Sequence, residues 1–115
     1  MAESKPRHRR IEAELQRVMS ELVSREVKDP RVGSVTITEV KIAADMGSAK
    51  IFFTPFASKN SPQEVHEGLT RASGFLRGEI GRRLALRHAP KLEFEYDDSF
   101  EKAAKLTELI DRAPK

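Results

Sequence analysis

The sequence predicts an α+β domain in which helices pack against a small sheet. Three observations lead there. Apolar residues recur at three- and four-residue spacing over 11–23 and again beyond residue 61, the period of a helix with one buried face. Two runs rich in strand formers follow one another directly between residues 35 and 53, and a third, at 92–96, alternates strictly. Neighbouring strands mixed with helices favour helices layered on one sheet, and 115 residues suffice for a single domain of this kind.

The first helix carries Ile11, Leu15, Val18, Met19, Leu22 and Val23 inward, with Glu12, Glu14, Arg17, Glu21 and Arg25 outward. Asp29-Pro30 ends it, because proline disfavours helical geometry in the residue before it. The first strand spans Val35 to Ile42, and its phase changes part-way. Val35 and Ile37 share one face, whereas Val40 and Ile42 share the other, the pattern of a bulge or of a strand buried on both sides. Asp45-Met46-Gly47-Ser48 is a turn, so Ala49 to Phe53 returns as the second arm of a hairpin. A loop over 57–60 precedes a well-marked helix start. Ser61 can cap, Pro62 suits the first helical position, and Glu64 completes a capping box.

That helix turns Val65, Leu69 and Ala72 inward and then meets Ser73-Gly74. A second helical pattern through Leu76, Ile80 and Leu84 runs on to about Arg87, and Pro90 stops the chain. Leu92, Phe94 and Tyr96 alternate with Glu93 and Glu95 as a half-buried strand. Asp98 with Glu101 starts a last helix bearing Ala103, Leu106 and Ile110. The order is α-β-β-α-α-β with a C-terminal helix.

Composition narrows the function. There are no cysteines, so disulfides, thiolate nucleophiles and Cys-ligated zinc are excluded, and a reducing compartment is favoured. No apolar run approaches the roughly 18 residues of a membrane span. The N-terminus is basic without the apolar stretch of a signal peptide, which points to the cytoplasm. Charge is concentrated. Between Arg71 and Lys91 six basic residues stand against the single acid Glu79, so this segment exceeds the whole chain's net +3. Such a cluster marks a local polyanion-binding patch.

Within that segment, a helical wheel with Leu76 at its origin puts Ile80 and Leu84 on the core stripe and Gly78, Gly81 and Ala85 roughly opposite. Arg77 and Arg82 flank the small residues on either side. Each interior glycine costs a helix about 1 kcal/mol relative to alanine, so the strip calls for an offsetting role. A face without side-chain bulk admits another backbone, and arginine borders suit a sugar-phosphate chain. The alternative for the glycines is tight packing against the protein itself, and for the arginines a solvated helix face. Phe75, beside Leu76, is expected in the core rather than stacked on a base. His8, His66 and His88 fall in a tail, a helix and a loop without ligand spacing, so neither a metal site nor a histidine acid–base pair is expected.

The run Ala72-Ser73-Gly74-Phe75-Leu76-Arg77, followed by Arg83-Leu84, Leu86-Arg87, Pro90, Leu92, Phe94 and Tyr96-Asp97, resembles the bacterial ribosome-binding factor A family. Lys28-Asp29-Pro30-Arg31 and Asp45 before Ala49-Lys50-Ile51 fit the same pattern, and the match runs from about Arg9 to Leu109. The resemblance implies a type II KH-like fold, α-β-β-α-kink-α-β with a C-terminal helix on a three-stranded sheet. It implies that Ala72, Ser73 and Gly74 form the kink that replaces a Gly-x-x-Gly loop. Residues 1–8 then read as a flexible basic arm, 9–112 as the KH-like RNA-binding domain and 113–115 as a short tail.

The implied role is a non-enzymatic factor, without cofactor or metal, that binds the small (30S) ribosomal subunit. It would assist late maturation and 5′-end processing of 16S rRNA, especially in the cold, as a monomer with no membrane association. RNA-binding residues under this reading are Ala72, Ser73, Gly74, Arg71, Arg77, Gly78, Gly81, Arg82, Arg83 and Arg87. The competing reading is a DNA-binding regulator using the two central helices as a helix-turn-helix. Against it, the Ser-Gly break is short and the second helix has few side chains of the type that read base edges.

Overall fold

The computed structural model describes residues 6–55 and 60–112. The elements are α1 (Pro6–Arg25), β1 (Val35–Ile42), β2 (Ser48–Pro55), α2 (Pro62–Arg71), α3 (Ser73–Arg83), β3 (Lys91–Tyr96) and α4 (Ser99–Arg112). This is the expected α+β order. The sheet runs β1-β2-β3, with β2 antiparallel to β1 and parallel to β3.

Period-two burial places Ala49, Ile51 and Phe53 of β2, with Leu92 and Phe94 of β3, on the covered face. The phase change in β1 is a bulge. Ile37 pairs with Phe53 but Glu39 pairs with Phe52, so Thr38 is the extra residue. The bulge resets the alternation, and Ile37, Val40 and Ile42 all reach the same core. Gln16 of α1 donates its side-chain amide to the carbonyls of Ile37 and Thr38, at 3.3 Å each, which satisfies backbone acceptors at the irregularity.

α1 buries Leu15, Val18, Met19, Leu22 and Val23 against the sheet as its pattern requires. It begins at Pro6, which suits a first helical turn, so residues 6–8 of the segment read as an arm are helical. His8 is therefore on a helix and buried, not in a tail. Residues 1–5 and 113–115, the remainder of the expected arm and tail, lie outside the described residues, as does most of the loop over 57–60. α1 also stops at Arg25, earlier than Asp29-Pro30. Those two residues instead build a turn in which Asp29 accepts from the backbone N–H and guanidinium of Arg31.

The capping box of α2 is formed in full, with Ser61 Oγ accepting from Glu64 N at 3.2 Å and Glu64 Oε1 from Ser61 N at 3.0 Å. α3 ends sooner than its sequence pattern. It stops at Arg83, Ala85 adopts a left-handed φ of 51°, and Leu86 N donates back to the Gly81 carbonyl at 2.9 Å. This is a Schellman closure with alanine where glycine is usual. It removes Ala85 from the helical strip and places Arg87 in the connection to β3.

α4 is anchored at its start. Asp97 accepts from Thr38 Oγ1 at 2.6 Å and from Ser99 N at 2.9 Å, and Tyr96 donates to Glu101 at 2.6 Å. That last bond and partial burial push the Tyr96 hydroxyl up to about 12. Beyond its anchor the helix stands clear of the core. Residues 101–109 are all exposed, including Ala103 and Leu106 of the expected apolar face, and nothing is described of the Ile110 side chain.

Candidate nucleic-acid interface

The break between the central helices is the single residue Ala72, at φ −82° and ψ −3°. Its backbone N–H closes α2 on Gly68, its carbonyl opens α3 by accepting from Leu76 N at 2.9 Å, and Ser73 Oγ donates to the Thr70 carbonyl at 2.7 Å. Alanine is a poor N-cap, and no side chain caps α3. One non-helical residue also leaves no room for the three- or four-residue turn of a helix-turn-helix.

Beyond the kink, α3 and the connection to β3 enclose an open groove of about 530 Å³. Its helix side consists of Gly74, Arg77, Gly78, Gly81 and Arg82. Leu86, Arg87, His88 and Ala89 form the other side, and among the described residues no acidic one lines it. The glycines differ in role. Among the described residues, a β-carbon built on Gly74 or Gly78 meets nothing within 4 Å, so packing against them does not account for these glycines, whereas one on Gly81 touches Ala89 Cβ at 3.4 Å. The strip is thus floor to the groove at Gly74 and Gly78 and wall contact at Gly81.

The arginines also divide. Arg77 donates Nε and Nη2 to the Ala89 carbonyl at 3.0 and 2.8 Å. It holds the far wall against α3, and its charge remains at the groove. Arg82 donates Nε to Glu79 at 3.1 Å, with Nη2 bonded to the same carboxylate, and stays largely exposed. Arg87 is exposed on the far wall. Arg83 turns toward α1, 3.7 Å from Glu21 and 4.0 Å from Glu79, and Arg71 is exposed at the end of α2; neither lines the groove.

Four features escaped sequence reasoning. Phe75, expected in the core, is 49% exposed, because it sits about 100° round the helix from Leu76. His88 lines the groove, while His66 lies 2.9 Å from the Phe94 carbonyl on another face. Gly68 is a packing glycine: a β-carbon there would stand 2.7 Å from Val32 Cγ2. A helix-interior glycine signals such a contact but does not say with what. Asp29 is held below the usual carboxylate range by its hydrogen bonds from Arg31, which fixes the turn that bears Val32.

The family model of ribosome-binding factor A matches residues 7–110. The chain belongs to the ribosome-binding factor A family. It is 48% identical over 107 residues to ribosome-binding factor A of Thioalkalivibrio sulfidiphilus, covering 93% of this chain and 83% of the relative. The protein of that name from Azoarcus sp. is 47% identical over 107 residues, covering 93% and 85%. Among solved structures, ribosome-binding factor A of Thermus thermophilus superposes with a TM-score of 0.71 at 26% identity, over 77% of this chain and 93% of that one. A model of the Thermus protein fitted into a cryo-EM map of a 30S complex gives 0.64 at 25% identity, with the same coverage. These matches carry the KH-like fold over to this chain.

Proposed function

We propose that this protein is a non-enzymatic assembly factor that docks on the small ribosomal subunit through the groove along α3. It acts as a monomer in the cytoplasm, where it assists late maturation of 16S rRNA, including processing at the 5′ end by separate nucleases. The observation that carries this reading is the groove itself. Among the described residues, three arginines and no acid line it, and its glycine floor is open at Gly74 and Gly78. Phosphate neutralisation by arginine supplies affinity, and a floor without side chains lets a sugar-phosphate backbone approach. The uncapped start of α3 adds a positive dipole end beside the kink. Family membership, and the Thermus relative fitted to a 30S complex, support the choice of partner.

Co-sedimentation with small subunits, large subunits and duplex DNA across a salt series tests the proposal. Salt-sensitive binding to the small subunit alone is expected. Arg82→Glu and Arg87→Glu should each weaken it and lower the salt slope by about one per lost phosphate contact, with the melting temperature unchanged. Arg77→Glu should do more, since it also releases Ala89. Full retention of binding in all three variants would refute the docking site, and preference for DNA would refute the partner.

A further inference from the structure

Phe75 is 49% exposed on a helix that buries its neighbours Leu76 and Ile80 completely. At about 100° per residue, Phe75 and Arg82 fall within roughly 20° of one another around α3, two turns apart. Together they form one border of the open glycine strip, and Arg77 forms the other. Within α3 its neighbours at three- and four-residue spacing are Gly78 and Glu79, the carboxylate that Arg82 bonds, so the ring is a large apolar group among small and charged residues.

A protein partner that docks an apolar face needs a contiguous apolar patch, which this ring does not supply. The ring lies on the Arg82 side of the arginine-lined groove, just outside the residues that line it, and so matches a ligand that is itself a flat apolar ring on an anionic backbone. We propose that Phe75 is a stacking platform for an unpaired nucleobase of single-stranded RNA whose phosphates run along the groove. The inference rests on the RNA-binding reading above and adds to it a base-dependent component. Phosphate contacts alone cannot distinguish RNA from any other polyanion, whereas stacking requires a splayed-out base. Ring faces accept every base, so the platform selects single-stranded over paired segments rather than one sequence.

The sequence contains no tryptophan and one tyrosine, so Phe75→Trp installs a lone indole reporter. Two probes separate the contributions, an oligoadenylate RNA of about ten nucleotides, within the usual site size, and inorganic polyphosphate, which has charge but no base. The RNA should quench the F75W emission and polyphosphate should not. Phe75→Leu should weaken RNA binding by about five- to 150-fold. Its polyphosphate affinity, salt slope and melting temperature should match the wild type. Equal RNA affinity for F75L and wild type, or no quenching on saturation, overturns the platform and leaves the arginine groove standing. Failure of the wild type to bind either the RNA or small subunits overturns the RNA-binding reading beneath it.

Discussion

α2 and α3 are adjacent helices of 10 and 11 residues in one hairpin, yet they are built to opposite rules. α2 has a full capping box, proline in its first turn, and a glycine closed against Val32. α3 starts without a side-chain cap, carries two glycines that touch none of the described residues, and ends through an alanine in the left-handed region. Each feature of α3 costs stability, on the order of 1 kcal/mol for an open glycine and 1–2 kcal/mol for the left-handed alanine. α2 is optimised as scaffold, whereas α3 keeps its outer surface bare beside the groove. Its core side is no weaker, since Leu76 and Ile80 are fully buried. A helix can therefore be fixed by one face while the other is released from the usual demands of helix formation.

Substituting alanine for glycine on each helix tests that contrast directly. Gly68→Ala should destabilise the protein by about 1–3 kcal/mol in urea unfolding, because the new methyl overlaps a buried valine. A neutral result would mean that α2 can shift away from Val32 and that the two glycines are equivalent. Gly78→Ala should do the reverse and stabilise by up to about 1 kcal/mol, since the methyl enters open space and improves helix propensity. The same variant should bind small subunits more weakly, by co-sedimentation. Stabilisation with undiminished binding would detach the bare floor from function.

The smallest effect concerns the cap of α2. Glu64 is held below its ordinary value of 4.5 chiefly by its backbone hydrogen bond from Ser61. A carboxyl whose folded value is lowered contributes stability that is fully present above its ordinary value and is lost as pH falls through the lowered one. Glu64→Gln should therefore flatten the acid limb of the melting temperature below about pH 4.5 by slightly lowering the neutral plateau, with the two proteins converging in acid. An acid limb identical to wild type would show that the box contributes nothing through charge.

Much of this contrast was legible beforehand. The capping box could be read from Ser61, Pro62 and Glu64 because it is local. The bulge showed as a phase slip between Ile37 and Val40, and the core stripes of α1 and α3 followed from spacing alone. What could not be read depends on distant partners or on backbone states with weak signatures. Arg77 bonds a carbonyl, Ala89, that any residue could provide, and Arg83 turns toward Glu21 on another helix. The end of α3 was placed too late because alanine at the closing position gives none of the warning that glycine would. Phe75 was assigned to the core through its neighbour Leu76, although the wheel separates them by a quarter turn. The basic cluster located the groove, but only the three-dimensional path of residues 84–89 gave it a second wall.

The mixed sheet has a consequence for how the chain folds. β1 and β2 are joined by a five-residue turn and pair antiparallel, so their contact closes cheaply. β3 must instead pair parallel to β2 after the whole α2–α3 hairpin has intervened, a much longer loop to close. Non-local pairing of this kind is the slow part of small-domain folding. Docking β3 draws the segment after α3 alongside the helix and brings Asp97 to Thr38. The second wall of the groove and the anchor of α4 thus complete in the same late step. In refolding followed by pulsed hydrogen exchange, protection in β1 and in β2 along its β1-facing edge should precede protection in β3, and an early folding intermediate would possess a sheet edge but no binding groove.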